Sequence, residues 1–333
     1  MTGFTITHEL DRSISVRLDG VELAEYVYAP HTVPLESPKP YLHPLRTRSG
    51  HLVSLFRPHD HVWHKGIAWS LPHVGTENFW GGPTFVPGRF YVQLENNGRA
   101  EHAELLDLRA DAESAVIAHR LDWITQAGTR IVDETRRLTA TLADPDANGP
   151  IPTDDNGAGA WVLTFESRMR NVGPEDLWIG SPTTKGRENA GYGGLFWRGP
   201  RSFTNGRLRT VDGDGGDELR GTRHAWMGFT GRHDGIDEAS TIVMVDDPGN
   251  IHHPPQWFAR SEEFACMCPA PFFSEEVLLA RGEEVVFRYA VVIADGAAPG
   301  DEVAALAGRG LSALAGRPAG GRAARPDESS VSV

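Results

Sequence analysis

The sequence predicts an all-β protein, a large two-sheet antiparallel β-sandwich with a short C-terminal helix. Three observations predict it. Runs of alternating apolar and polar residues recur along most of the 333 residues, Asp-Gly and Asn-Gly turn signals follow some of them, and helical spacing is nearly absent before residue 300. Thr5 to Leu10 and Ser13 to Leu18 open as strands, and Asp19-Gly20 leads into a third, Val21 to Tyr28. Both central positions of such a two-residue hairpin need φ > 0, which Asp and Gly tolerate. The same grammar predicts a hairpin of Phe90 to Glu95 with Arg99 to Leu106 around Asn96-Asn97-Gly98. Further strands are expected at Ser114 to Thr125, Thr129 to Leu142, Trp161 to Arg170, His224 to Thr230, Thr241 to Val245 and Glu284 to Ile293. After Pro299-Gly300, Asp301 is the expected cap of a helix from Glu302 to Leu314, with Val303, Leu306 and Leu311 at helical spacing.

Two segments read as unstructured, Ala143 to Gly159, dense in Asp, Pro, Asn and Gly, and Gly316 to Val333. Neither divides the strand pattern, so one sandwich domain over 1–315 and a disordered tail over 316–333 are expected, although average domain size would suggest two units. No internal repeat of fixed period occurs.

The net charge of −13 disfavours nucleic acid and anionic membranes, which demand a basic footprint. No apolar run is long enough for a membrane helix, and the first residues lack a signal-peptide core, so a cytoplasmic location is expected. Cys266 and Cys268 flank one residue, a spacing too strained for a disulfide, and are expected as buried free thiols.

Two residue types are unevenly spread. Six of the 14 histidines, His43, His51, His59, His61, His64 and His73, fall in one short window. Only Lys39, Lys65 and Lys185 among the 32 basic residues are lysines, and two of these lie in or beside the motifs below. Lysine is expected to persist where a compact ammonium does what a guanidinium cannot.

The densest chemistry is Arg57-Pro58-His59-Asp60-His61-Val62-Trp63-His64-Lys65-Gly66. Three imidazoles and a carboxylate suit metal ligation, general acid–base work or hydrogen bonding to a polyol. In an extended strand His59 and His61 share a face opposite His64, so the three converge only if the chain turns. Glu77-Asn78-Phe79-Trp80-Gly81-Gly82 reads as a sugar-binding rim, in which rings stack on C–H faces and polar side chains fix hydroxyls. Lys185 to Pro200 has the same character, with Arg187, Glu188 and Trp197, and it has no phosphate-loop spacing. His252 to Arg260 adds Trp257 on a proline-stiffened loop. Neither Gly-x-Ser-x-Gly nor His-Glu-x-x-His is present.

Four segments together carry a resemblance: Lys39 to Arg46 with His43 inside it, Asp60 to Gly66, Asn78 to Gly82, and Gly191 to Phe203. In this order they resemble the DUF6807 family, from about residue 20 to about 310. Its members are often labelled PmoA family, after a methane oxygenase subunit; that subunit is a membrane protein, and this sequence has no span to match. The resemblance implies a galactose-mutarotase-like supersandwich of the carbohydrate-processing kind, found beside sugar oxidoreductases and isomerases. It carries no catalytic assignment.

The expectation is a carbohydrate-active enzyme working on a sugar or oxidised sugar by His and carboxylate acid–base chemistry, of epimerase, lyase or hydratase type. His61 and His64 are the expected acid–base pair with His59 and Asp60 in support. His43, Arg46, Lys65, Glu77, Asn78, Arg187 and Glu188 are expected to bind substrate, with Trp80, Trp197 and Trp257 as stacking surfaces. No cofactor is expected. A non-catalytic sugar-binding module is one alternative, and a metal-dependent oxygenase or hydrolase built on His59, His61 and His64 is another. A neutral sugar is the first expectation for the ligand, because a strongly anionic one needs Arg46, Lys65, Lys185 and Arg187 in the pocket against the overall charge. Oligomeric state is left open.

Overall fold

A computed structural model describes residues 3–143 and 159–316. All but Gly316 of the tail expected over 316–333, and nearly all of the Ala143 to Gly159 segment, lie outside the described residues. Two large antiparallel sheets form the architecture. The smaller runs in the order Phe4–Glu9, Ser13–Leu18, Val21–Val27, Tyr41–Leu45, Ile67–Ser70, Gly194–Arg198, Cys266–Ala270, Gln256–Arg260. The larger runs Gly213–Gly215, Arg207–Thr210, Trp226–Arg232, Ala239–Asp246, Glu284–Asp295, Ala160–Asn171, Arg130–Leu142, Ser114–Ile124, Arg99–Ala110. The Asp19-Gly20 turn has φ of 51° and 89°, as a two-residue hairpin requires.

The core lies between the sheets. Side chains alternate along each strand, so one face of each sheet supplies apolar groups to a shared layer. Trp69 of the smaller sheet meets Phe165, Phe287 and Tyr289 of the larger at ring-centroid distances of 5.9, 5.0 and 5.9 Å. Burying aromatics of this size dominates such a core, at roughly 25 cal/mol per Å² of apolar surface removed from water.

The helix spans Gly300–Ala315 and covers the outer face of the larger sheet, where Val303, Leu306, Ala307 and Leu314 meet Val162, Val243, Val245 and Val292. Two details differ from expectation. Leu311 is exposed, because the sheet meets the stripe carrying Val303, Leu306 and Leu314. Asp301 makes no capping bond; Pro299 occupies that position, and Asp301 sits in the first turn, where its charge complements the helix dipole.

The hairpin expected around Asn96-Asn97-Gly98 does not form. Phe90–Val92 pairs with Thr84–Val86, and Arg99–Ala110 pairs with Ser114–Ile124. Asn96 and Asn97 are buried instead, and their amides brace loops: Asn96 Nδ2 donates to the Thr76 carbonyl and Asn97 Nδ2 to that of Gly82.

Candidate functional site

A cavity of about 430 Å³ opens on the outer face of the smaller sheet. Its floor comes from three neighbouring strands, Gly194–Arg198, Cys266–Ala270 and Gln256–Arg260, which point Leu195, Trp197, Trp257, Ala259 and Met267 into the main core. The alternate residues Phe196, Phe258, Cys266 and Cys268 face the other way and form a second apolar cluster with Trp80. Arg198 and Arg260 share this outward parity, and both lie opposite Cys266 in the strand registers.

The histidine segment forms one wall because it turns rather than extends. His61 N donates to the Pro58 carbonyl and His64 N to that of His61, so successive i to i+3 turns lay the two imidazoles side by side. Their ring centroids are 4.7 Å apart with planes 14° from parallel. Gly66 ends the turn at φ 54°, where a Cβ would sit 2.0 Å from the Leu42 carbonyl oxygen, so only glycine fits.

The two histidines occupy different environments. His61 Nδ1 donates to Asp60 Oδ2 at 2.9 Å, and its side chain is 36% exposed. Burial works to raise the Asp60 carboxyl, but hydrogen bonds from His61 and Arg201 hold it well below the usual carboxylate range. His64 is 4% exposed, with Trp80 edge-on at 5.6 Å and Phe196 at 4.6 Å. Burial, then the neighbouring His61 and Arg198, push its imidazole well below the ordinary histidine value, so it is neutral at pH 7. Its Nδ1 is enclosed without a hydrogen-bond partner.

The adjoining rim is held by Asn78. Its Oδ1 accepts from the backbone N–H groups of Trp80 and Gly81 at 2.8 and 3.0 Å, and its Nδ2 donates to the Gly82 carbonyl and Thr84 Oγ1. Buried Lys39 donates to the Trp80 carbonyl at 2.9 Å and to that of Ser37 at 3.0 Å. Gly82, at φ 69°, leaves room for the Trp63 ring, 2.6 Å from where a Cβ would stand. Trp63, Trp80, Tyr91, Tyr192, Phe258 and Phe264 supply aromatic surface, and Arg187, Glu188, Arg220, Arg260 and Glu263 supply charge.

Of the residues singled out in the sequence, His61, His64, Trp80, Arg187 and Glu188 line this cavity together. Asp60 stands behind His61. Asn78 lies under the rim as a clamp and does not line the cavity. The rest are elsewhere. His59 is exposed and bonded to Arg201. His43 stacks on Phe56 in a neighbouring groove that also holds Tyr41 and Arg57. Arg46 donates to the Gly50 carbonyl, Lys65 pairs with buried Glu36 at 2.8 Å, and Glu77 accepts from the Gln126 backbone. Trp197 and Trp257 are fully enclosed in the core, their Nε1 atoms donating to the Val53 and His224 carbonyls, so they offer no stacking surface.

Sequence reasoning passed over Arg198, Arg220, Arg260, Glu263, Phe258 and Phe264. Strand parity held the signal for three of them. An arginine does not face an apolar sheet interior, so Arg198 and Arg260 mark the outward face and bring Phe196 and Phe258 with them.

The histidines do not assemble as a metal set. Stacked rings aim their nitrogens side by side rather than at one point, His59 faces Arg201, and among the described residues no group of three or more His, Cys, Asp or Glu side chains could hold an ion.

Fold and site define an antiparallel β-sandwich with an aromatic, charged pocket on one outer face. The chain belongs to DUF6807, a family of unknown function, whose model matches residues 13–308. No curated protein matches it. Among solved structures, a GH36 alpha-galactosidase variant from Geobacillus stearothermophilus in complex with raffinose aligns at 11% identity and TM-score 0.34, over 89% of this chain and 40% of that one. A TPR-domain containing protein from Parabacteroides distasonis aligns at 11% identity and TM-score 0.31, over 94% of this chain and 50% of that one. Both likenesses are too slight to define the fold. No helix among the described residues is long and apolar enough to cross a membrane.

Proposed function

We propose that this protein is a carbohydrate-active enzyme that moves protons on a sugar or oxidised sugar, with His61 and His64 as the acid–base pair. One observation carries the reading: two imidazoles stacked at 4.7 Å line an aromatic cavity, one backed by a carboxylate and the other desolvated and neutral. Burial keeps His64 neutral and able to take a proton, and Asp60 orients His61 through its Nδ1. Epimerisation, β-elimination and hydration each need one group to take a proton and another to return it. Trp63 and Trp80 suit the C–H face of a sugar ring, and Glu188 and Asn189 its hydroxyls. A galactose-mutarotase-like kinship and a cytoplasmic location belong to this proposal; the free, buried Cys266 and Cys268 are compatible with a reducing compartment.

Incubating the protein in D₂O with aldoses, uronates and aldonates, followed by NMR, tests the reading. A substrate should lose a carbon-bound proton signal or yield product. His61→Ala and His64→Ala should each slow this by about 10²- to 10⁴-fold while leaving calorimetric binding within a few-fold. Binding without turnover by the unaltered protein across the whole panel would leave a binding module in place of an enzyme.

A further inference from the structure

The expectation of a neutral ligand rested on where the basic groups lie, and the pocket holds a different set from the one expected. Arg46, Lys65 and Lys185 are engaged outside it, with the Gly50 carbonyl, Glu36 and Glu276. Arg187 reaches the pocket, but its guanidinium bonds to the Tyr91 hydroxyl and lies over that ring. Arg220 and Arg260 line the cavity from other strands and loops; Nη1 of Arg260 pairs with Glu263 of the same lining, and the Nε of each arginine is enclosed with no hydrogen-bond partner. A desolvated guanidinium N–H without an acceptor is costly, and a ligand oxygen removes that cost. Beneath them Arg198 lies over the Phe264 ring at 3.6 Å, its Nε and Nη1 also without partners.

The lining carries three arginines against Glu188 and Glu263, with Arg198 below adding further positive charge. The overall −13 opposes an anion only weakly here, because charges more than a Debye length away, about 8 Å at physiological salt, are largely screened while a pocket arginine acts at contact.

We propose that the pocket recognises a sugar acid, a sugar bearing one carboxylate, and that Arg220 and Arg260 bind that carboxylate. The proposal rests on the reading of the cavity as a sugar site and names its substrate class. A planar carboxylate matches the fork of a guanidinium. A phosphate dianion fits less well, because Glu188 and Glu263 repel the second charge and the one α-helix among the described residues packs on the larger sheet, away from the pocket.

Calorimetric titration of the full chain with matched pairs tests it: D-glucose with D-glucuronate, D-galactose with D-galacturonate, D-mannose with D-mannuronate, and D-glucose 6-phosphate besides. At least one uronate should bind about tenfold or more tighter than its neutral partner. Arg220→Gln or Arg260→Gln should lower uronate affinity enough to erase that preference, and Arg260→Lys should retain part of it. Circular dichroism melts of all three variants separate this from misfolding, and Arg220→Gln and Arg260→Lys keep the test open if one variant does not fold. Equal binding of neutral and acidic partners, or a preference that survives both Gln variants, overturns the sugar-acid proposal and leaves the sugar site standing. Tighter binding of the phosphate than of any uronate also overturns it. Binding by no member removes the sugar site and this proposal together.

Discussion

The two faces of the smaller sheet use the same strands for opposite purposes. Inward, Trp197, Trp257, Ala259 and Met267 sit in the core that joins the sheets; outward, one residue along, Phe196, Arg198, Phe258 and Arg260 stand under a charged cavity. A one-residue offset thus separates stability from recognition, because successive side chains leave a strand on opposite sides. Changes to the inner face should cost folding free energy and spare chemistry in whatever remains folded. Changes to the outer wall should do the reverse.

The largest expected effect is on the inner face. Trp197→Ala empties a fully enclosed site and orphans the Val53 carbonyl, and urea denaturation should show a loss of about 3–5 kcal/mol. A loss under about 1 kcal/mol would mean that this face is not the structural one. Next is Asn78→Ala, which takes the side-chain acceptor from Trp80 N and Gly81 N, while the Gly82 carbonyl keeps Asn97 as a donor, and should cost about 2–3 kcal/mol in the same assay, with weakened sugar binding as the Trp80 loop loosens.

His64 predicts a pH dependence. Its folded value is depressed below the ordinary 6.5, so as pH falls past 6.5 the unfolded chain takes up a proton that the folded protein refuses. Stability therefore drops on the acid side, and His64→Gln should flatten the slope below that pH by up to about 1.4 kcal/mol per pH unit. An unchanged slope would show that His64 is not held neutral in the fold. The smallest effect belongs to His59, exposed and outside the cavity: His59→Ala should leave stability within about 0.5 kcal/mol and turnover unaltered. A tenfold loss of turnover would move the reacting centre away from the stacked pair.

Much of this contrast was legible in the residues. Alternation located most strands, and Asp19-Gly20 fixed a hairpin, because those signals are local. Asn96-Asn97-Gly98 misled, since the amides that suit a turn also suit the buried clamps they form here. The His61 and His64 pairing depended on an i to i+3 turn that Pro58 and Gly66 permit at its borders but do not dictate. Trp197 and Trp257 drew notice as large aromatics, yet Arg198 and Arg260 held the parity information that puts those rings inside. The scarce lysines did mark special positions: Lys39 ties three loop carbonyls at once, and Lys65 pairs with buried Glu36. Arg220 and Glu263 gave no local signal, since only the tertiary fold brings their loops to the cavity.

The central claim is that the outward face under His61 and His64 is where a sugar binds. A crystal structure of the protein with the tightest-binding panel member tests it most directly. The account predicts the sugar ring against Trp63 and Trp80 and within hydrogen-bond reach of His61 and His64. A ring seated in the neighbouring groove beside Tyr41, His43 and Phe56, with the histidine cavity filled only by solvent, would contradict it.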